Sequence, residues 1–333
     1  MLFPLIQKIS SPQQQDDFKN VCRKYDSVFN PNYKGYNDKS GVIRAHITIG
    51  SVPPPSQKAR LPFYNQKNLQ LLQQKADELE DKGVLVPPES VGLVPLHVSP
   101  SFLLKKPNGD WRFITAFNDL GKYCRLPPSK VTKCNDVLRR IGSFKFIIKT
   151  DLTSSFFQLK VARDSMPYLG TVTPFKGIRL YARAAMGMPG SSEWLDNLMA
   201  HVVGHLVMEG HVLLIADDLY VGANDIATLL SVWDELLFTL SENNLVLSAS
   251  KTVIVPMSTT VLGWIWNNGS LRVSQHKICP LQQADPPKTC TAMRSFLGAY
   301  KDISRAIPKS ASFLSPLETA ISGLNGKDTI FLE

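Results

Sequence analysis

The sequence is poor in cysteine and lacks the spacings that cysteine-based sites require. Its five cysteines are scattered, and no two of them form a Cys-x-x-Cys pair. This pattern supports neither a disulfide framework nor a zinc knuckle, and it indicates a reducing compartment. No run approaches the roughly 20 apolar residues of a membrane-spanning helix. Residues 1–6 do not combine a basic region with a long apolar core, as a secretory signal would.

Positive charge is what the chain has in excess. Its 333 residues include 37 lysines and arginines against 28 aspartates and glutamates, which gives a formal net charge of +9. This balance favours a polyanionic partner, and nucleic acid is the first candidate. The hydrophobic share of 44% and the charged share of 20% predict a globular, soluble protein with a sizeable core.

The distribution of apolar, glycine and proline residues predicts hairpins alternating with helices. Asn108-Gly109 between two apolar runs is typical of a β-hairpin, which we expect over residues 99–117. Residues 1–65 end in a proline-rich stretch and are expected to form an extended arm or linker. The other predicted elements are helices over residues 65–82, 131–141, 191–208, 227–243 and from 289 onward, and strands over residues 144–149, 156–161, 212–221 and within 252–273. This order predicts an α+β fold with a mainly antiparallel sheet.

Two adjacent carboxylates, Asp217 and Asp218, interrupt an otherwise apolar run over residues 212–221. A buried carboxylate without a partner costs several kcal/mol, and the run contains no lysine or arginine that could neutralise the pair. A divalent metal would neutralise both. The alternative is a surface hairpin with Ala-Asp-Asp as its turn, because aspartate is common in turns.

A third carboxylate, Asp151, also ends an apolar strand-like run. Two-metal phosphoryl transfer needs carboxylates from different strand ends that converge on ions about 3.5–4 Å apart. Mg²⁺ takes a few carboxylate oxygens and keeps phosphate oxygens as its other ligands. Asp151, Asp217 and Asp218 fit this scheme if their strands are neighbours.

Several segments, in this order, resemble the reverse transcriptases of gypsy-type LTR retrotransposons and, more distantly, the retroviral enzymes. The resemblance covers roughly residues 40–333. The matching segments are SPSFLLKKPNGDWR at residues 99–112 (family SPxxxVKKxDGxWR), TDLTSSFFQLKV at 150–161 (LDLxxGYxQI), AMGM at 185–188 (MPFGL), IADD at 215–218 (YxDD), and VLGWI at 261–265 with MRSFLG at 293–298 (FLG and LRSFLG).

This resemblance implies a right-hand polymerase with fingers, palm and thumb. The expected division is an N-terminal extension over residues 1–65, fingers with the start of the palm over 66–145, palm over 146–273 with a fingers insertion around 162–183, and thumb with the start of the connection over 274–333. The ribonuclease H acidic set, the integrase zinc site and the protease Asp-Thr/Ser-Gly triplet are not found in the sequence. We therefore expect the chain to be a piece of a longer polyprotein, or a gene model cut from one.

The resemblance also implies residue roles. Asp151, Asp217 and Asp218 would be the catalytic metal ligands. Phe156, five residues after Asp151, would exclude a ribose 2′-hydroxyl, with core packing as the alternative. The other implied roles are triphosphate contact for Lys105 or Lys106 and Arg112, nucleotide-pocket lining for Met186 and Gly187, proton donation to pyrophosphate for Lys251, and primer contact for Leu262, Gly263 and Trp264. The alternative for Lys105, Lys106 and Arg112 is a solvated hairpin face. The alternative for Lys251 is an ordinary surface lysine, and for residues 262–264 it is a packed sheet turn.

The implied activity is RNA-directed DNA polymerisation, a nucleotidyl transfer. The implied cofactor is two Mg²⁺ ions, with Mn²⁺ as an alternative. The implied partners are an RNA or DNA template-primer, dNTPs and other parts of a retroelement polyprotein, without a membrane. We expect an intracellular protein in the cytoplasm or a virus-like particle, with the nucleus as a further compartment.

Three departures from the family pattern support a rival interpretation. Ile215 replaces the aromatic residue of YxDD, Ala184-Ala185 replaces Met-Pro, and residues 115–121 lose the Asp, Arg and Asn of VDYRxLN. The rival is a decayed or domesticated palm that binds nucleic acid without polymerising. A third hypothesis, copying of RNA into RNA, is opposed by the bulky Phe156.

Overall fold

The computed structural model describes residues 4–9, 11–32, 34–56, 60–106, 109–128, 134–215 and 218–330, except for the side chains of Cys134 and Asn135. In these ranges the helices are α1 Pro12–Lys24, α2 Gln66–Asp81, α3 Asn118–Gly121, α4 Cys134–Ser143, α5 Ser191–Val202, α6 Gly204–Glu209, α7 Ile226–Glu242, α8 Gln275–Gln282, α9 Cys290–Ile303 and α10 Ser310–Ala320. The strands are β1 Leu5–Ile6, β2 Thr48–Ile49, β3 Leu85–Val86, β4 Val98–Ser99, β5 Ser101–Lys105, β6 Trp111–Thr115, β7 Cys124–Arg125, β8 Phe146–Asp151, β9 Gly170–Thr173, β10 Gly177–Tyr181, β11 Val212–Ile215, β12 Asp218–Ala223, β13 Val253–Ile254, β14 Thr259–Val261, β15 Trp264–Asn267 and β16 Ser270–Val273.

A five-stranded sheet in the order β1-β13-β8-β12-β11 forms the centre of the fold. All of its pairs are antiparallel except β1 with β13. Ile147 and Ile148 of β8 point to opposite faces, and both are fully buried, so this strand has core on both sides. Helix α7 packs on β12 and β8, with Trp233 completely buried. The predicted α+β fold with a mainly antiparallel sheet is confirmed.

A second sheet, in the order β3-β10-β9-β4, lies beside the hairpin formed by β5 and β6. The buried hydroxyl of Thr115 on β6 lies 2.9 Å from the hydroxyl oxygens of Thr171 and Tyr181 in the sheet. This hydroxyl cluster joins the hairpin to the sheet. Helix α2 covers both units, and Gly83 directly after its C-cap has φ +64°, as expected for a helix end.

The structure differs from the extended arm expected over residues 1–65 at residues 12–29, which are mostly helical. Residues 12–24 form α1, whose Phe18 and Cys22 are buried in the main core. Strand β1 pairs in parallel with β13, and Leu5 N–H donates to Thr252 O at 3.1 Å. The local signals for this helix are the serine cap at Ser11 and the proline at the first helical position.

Two other local predictions also differ from the structure. The expected strand over residues 156–161 is instead a 3₁₀ turn, Ser155–Gln158, followed by isolated bridges at Lys160 and Val161. The helix expected over residues 191–208 is split at Val203 into α5 and α6. The turn forms because the chain after Asp151 bends back onto the residues around Val246, as described below. Helix α8 was not anticipated, and it contains Pro280.

The C-terminal part consists of a small sheet and helices. Strands β14, β15 and β16 form a three-stranded antiparallel sheet whose Trp264 and Trp266 are buried together with Ile147 of β8. Helices α9 and α10 form a separate small core around Met293 and Leu297. Among the described residues, no helix combines the length and apolar character needed to cross a bilayer.

We predict that Gly222→Ala destabilises the central sheet. A Cβ at this position would come within 2.5 Å of Phe144 Cε2 and closer to two other atoms of that buried ring. Because the ring is enclosed by the core, we expect a loss of about 1–3 kcal/mol in the free energy of unfolding, measured by urea denaturation.

Gly204→Ala is the matched control, since no atom lies within 4 Å of a Cβ built there. Gly204 lies in α6, so alanine should be neutral or stabilise by up to about 1 kcal/mol. Equal unfolding free energies for the two variants would contradict the packing of Phe144 against β12.

Candidate active site

The site is built where β8 ends and β12 begins. Asp151, the last residue of β8, is directly opposite Asp218, the first residue of β12. Side chains of directly opposite residues in an antiparallel pair point to the same face, with Cβ atoms about 4.5–5.5 Å apart. The Asp151 side chain is 7% exposed, and Asp218 is half-buried. Two of the three predicted carboxylates therefore lie side by side.

Asp217, the third predicted metal ligand, lies with Ala216 outside the described residues. Among the residues that are described, no three histidine, cysteine, aspartate or glutamate side chains form a metal-binding group. The donor chemistry nevertheless fits a hard divalent ion, because two carboxylates on neighbouring strand ends present the oxygen ligands that Mg²⁺ prefers.

Lys251 lies at this site. Its Nζ forms an ion pair with Asp151 Oδ2 at 2.5 Å, although the two residues are 100 positions apart in the sequence. The contact is supported by the backbone, since Ser248 N–H donates to Asp151 O at 2.9 Å. The hydroxyl oxygens of Thr150 and Thr252 lie 2.6 Å apart beside it. Lys251 therefore places a positive charge beside the nearly buried carboxylate.

Tyr220 is a site residue that the sequence analysis missed. It is buried on β12, and its hydroxyl donates to Asp218 Oδ2 at 3.2 Å. Burial, followed by the negative charge of Asp218, raises the pKa of the Tyr220 phenol, so it remains a protonated donor at neutral pH. The signal was the two-residue spacing, which places both side chains on one face of a strand.

Gln158 is a second residue that the sequence analysis missed. Its completely buried amide donates to Thr153 O at 2.7 Å and to Val246 O at 2.8 Å, and it accepts from Val246 N–H at 2.7 Å. These bonds fold the segment after Asp151 onto the segment that leads to Lys251. No local pattern in the sequence indicates such a long-range latch.

Phe156 lies in the 3₁₀ turn Ser155–Gln158. The turn begins directly after Ser154, which has a positive φ of +48°. The ring is half-buried and packs against the main core. The turn contacts helix α5. Its position is compatible with both of the roles that the sequence left open, exclusion of a 2′-hydroxyl and core packing.

The hairpin side chains divide into two groups. Lys106 forms an ion pair with Asp110 at 2.9 Å, and this contact lowers the pKa of Asp110 to about 2, with help from the Trp111 N–H. Lys105 is exposed, and its Nζ lies 6.0 Å from the centre of the Trp111 ring. Among the described residues, no carboxylate pairs with Lys105, so of the two lysines it is the one whose charge faces solvent.

Arg112 links the hairpin to the segment before α5. Its Nη1 lies 3.5 Å from Met186 Sδ, and both side chains are exposed to solvent. Gly187 follows with φ +79°, and no atom lies within 4 Å of a Cβ built there. The structure therefore places Arg112, which was predicted to contact the triphosphate, beside Met186, which with Gly187 was predicted to line the nucleotide pocket.

Leu262 and Gly263 form the two-residue turn between β14 and β15, with φ of +49° and +75°. Two successive positive φ values are typical of the tight turns that join hairpin strands. Trp264 is buried, so its ring packs the interior and is not exposed to contact a primer directly. Leu262 is half-buried, and its side chain and the turn backbone remain accessible.

Comparison with known proteins agrees with this geometry. Residues 104–266 match the family model described as "Reverse transcriptase (RNA-dependent DNA polymerase)". The chain is 25% identical over 328 residues to the Pro-Pol polyprotein of simian foamy virus type 1, covering 97% of this chain and 27% of that protein. It is 21% identical over 327 residues to the "Retrovirus-related Pol polyprotein from transposon opus" of Drosophila melanogaster, covering 96% and 32%. The chain thus spans about a quarter to a third of these relatives.

Solved structures show the same architecture. A foamy viral protease-reverse transcriptase in complex with double-stranded DNA superposes with a TM-score of 0.76 at 19% identity, over 98% of this chain and 55% of that chain. Another, in complex with an RNA/DNA hybrid, gives a TM-score of 0.69 at 18% identity, over 98% and 42%. The expected right-hand polymerase fold and the resemblance to retroelement enzymes are confirmed. Residues 104–266 are thus similar to a reverse transcriptase domain, and the relatives named above are Pol polyproteins of a foamy virus and of a retrotransposon.

Proposed function

We propose that the chain is an RNA-directed DNA polymerase that extends a primer on an RNA or DNA template by nucleotidyl transfer. The observation that carries this proposal is the pairing of Asp151 with Asp218 on adjacent strands. It gives two carboxylates on one face at the edge of a rigid sheet, where phosphoryl transfer needs oxygen ligands in fixed positions.

Asp151, Asp217 and Asp218 would hold two divalent ions, Mg²⁺ or alternatively Mn²⁺. When bound, such ions lower the pKa of the attacking 3′-hydroxyl and stabilise the charge on the leaving pyrophosphate. The protein orients its own carboxylates for this purpose: the Tyr220 hydroxyl donates to Asp218, and Lys251 pairs with Asp151. These contacts leave the carboxylates little freedom to reorient before the reaction.

Other side chains would bind the incoming dNTP. Lys105 and Arg112 offer donors to the triphosphate, and the guanidinium suits bidentate contact with phosphate oxygens. Lys106 would contribute only after release from Asp110. Met186 and Gly187 would line the pocket beside Arg112, and Phe156 would exclude the ribose 2′-hydroxyl. Lys251, held next to Asp151, would donate a proton from Nζ to the departing pyrophosphate oxygen.

The nucleic acid would contact the remaining surfaces. Leu262 and the backbone of Gly263 would touch the primer end, with Trp264 supporting the turn from inside. In this proposal residues 66–145 form the fingers and the start of the palm, 146–273 the palm, and 274–333 the thumb. The net charge of +9 supports binding to a phosphate backbone. The chain would act with other parts of a retroelement polyprotein, in the cytoplasm, a virus-like particle or the nucleus.

Asp218→Asn is the direct test of the proposal. It removes one ligand charge while keeping the shape of the side chain, so we expect primer extension on an RNA template to fall by roughly 100-fold or more. Extension is measured with Mg²⁺ and again with Mn²⁺. Asp217→Asn should behave in the same way.

Asp225→Asn is the matched control. It is the same aspartate-to-asparagine change, seven residues after Asp218, at a residue whose side chain caps α7. Asparagine is an equally good cap, so activity should be retained. Wild-type extension by Asp218→Asn would refute the catalytic assignment. Duplex binding by the wild type without extension in either metal would favour the decayed-palm alternative.

Phe156→Ala tests sugar selection. Removing the ring should raise incorporation of rNTPs relative to dNTPs by roughly tenfold or more, because the obstacle to the 2′-hydroxyl is gone. The measurement is the ratio of kcat/KM values for the two substrates.

Phe157→Ala is the control, since Phe157 is also half-buried and also packs on the main core. It should lower stability without changing the ratio. Unchanged sugar selectivity in Phe156→Ala would assign Phe156 to core packing instead.

A further inference from the structure

The turn at Leu262 and Gly263 is held by the C-terminal helices as well as by its own strands. Ser274, immediately before α8, donates its backbone N–H to Gly263 O at 3.3 Å. The turn is therefore attached to the start of the helix that follows the sheet.

Lys277 of α8 lies directly across this turn. A Cβ added to Gly263 would lie 3.1 Å from Lys277 Cδ and 3.3 Å from Cγ, and closer still to Cε. The apolar stem thus occupies the space that any larger residue at Gly263 would need. The Lys277 side chain is only 18% exposed, and its ammonium group forms an ion pair with Asp302 of α9. One lysine therefore connects the turn, α8 and α9.

Trp264, the residue after the turn, is contacted from the same side. Its buried ring has Lys277 Nζ at 6.0 Å and Arg305 Cζ at 5.1 Å from its centre. Arg305 lies in the short 3₁₀ turn that follows α9. Cations are attracted to the face of an aromatic ring. Lys277 and Arg305 therefore both help to hold Trp264, and with it β15, in place.

We propose that Lys277 and Asp302 form a strut that positions the 262–264 turn, so that the turn retains the primer end only while α8 and α9 are docked against it. The inference rests on the proposed function and deepens it. Both are positioning residues, since they act through the turn and not on the reacting atoms. Breaking the strut should speed release of the primer-template without slowing the chemical step.

The experiment is a charge swap. Lys277→Glu, Asp302→Lys and the double variant are compared with wild type at one fixed salt concentration. Two quantities are measured: the release rate of a fluorescent RNA/DNA primer-template, and the single-turnover rate of one dNTP addition. Each single variant should release the duplex about two- to fivefold faster, the range for a partly exposed ion pair, and the double variant should recover the wild-type rate.

Asp302→Lys separates the strut from simple attraction to phosphate. It adds positive charge, so attraction alone would slow release, whereas the strut requires faster release. Lys277→Met keeps the apolar stem over Gly263 and loses the charge, so it should match Lys277→Glu in direction with a smaller effect.

Lys301→Glu is the matched control. Lys301 is the neighbour of Asp302 on α9, but it pairs with Glu318 of α10. It undergoes the same charge change as Lys277→Glu, and its effect on release sets the contribution of net charge.

The outcomes distinguish the two proposals. If the wild type extends the primer, the polymerase assignment stands. The strut is then overturned if the double variant does not recover the wild-type release rate, or if Asp302→Lys releases the duplex more slowly than the wild type. Duplex binding without extension would overturn the polymerase assignment, and the release rates would still decide the strut. The strut would also be overturned if the single-turnover rate of the single variants fell by the same factor as their release rate rose, since that would indicate general damage to the protein.

Discussion

The antiparallel pairing of β8 with β12 determines the position of every other group at the site. A shift of one residue in this register would move Asp151 to the opposite face from Asp218. The register is fixed because β8 is buried on both faces, with Ile147 and Ile148 in different core clusters. The carboxylate pair is thus a consequence of core packing. Hydrophobic burial on both faces of β8 holds the two acidic groups side by side at the strand ends.

Such a pair is costly, and the chain offsets the cost with its own partners. Lys251 supplies a positive charge to Asp151, and the buried Tyr220 phenol donates to Asp218. The Tyr220 contact is local to β12, whereas the Lys251 contact depends on long-range folding. The Gln158 amide fastens the chain after Asp151 to Val246, which brings Lys251 within reach. The contacts of Gln158 and Lys251 thus join segments 88 and 100 residues apart around the carboxylates.

The sequence predicted those parts of the molecule that depend on local signals. The hairpin of β5 and β6, helix α2, which ends just before Gly83, and α7 follow from turn residues and periodicity alone. Asn108 of the predicted hairpin turn lies outside the described residues. The strand-like run over residues 156–161 was misleading, because a buried glutamine and a positive φ at Ser154 turn the chain into a 3₁₀ helix. Helix α1 was missed because its burial depends on α7, more than 200 residues later. The carboxylates were predicted through motifs, and the two-residue spacing from Asp218 could have indicated Tyr220, whereas Gln158 and the Lys251 ion pair require the tertiary structure.

One hydrophobic cluster connects the carboxylates to the proposed primer turn. Ile147 of β8, Tyr220 of β12 and Trp264 of β15 belong to the same buried group, and Trp266 donates its indole N–H to Ile141 O at 3.1 Å within it. Packed interiors resist deformation, so the separation between the strand ends and the turn is fixed by this cluster. Among the residues that the structure describes, none from α8 or α9 belongs to this cluster, and on their side of the turn charged contacts hold it. The proposed function requires the primer end to stay at a constant distance from the catalytic groups and the duplex to be released, and this division between rigid packing and ionic contacts would provide for both.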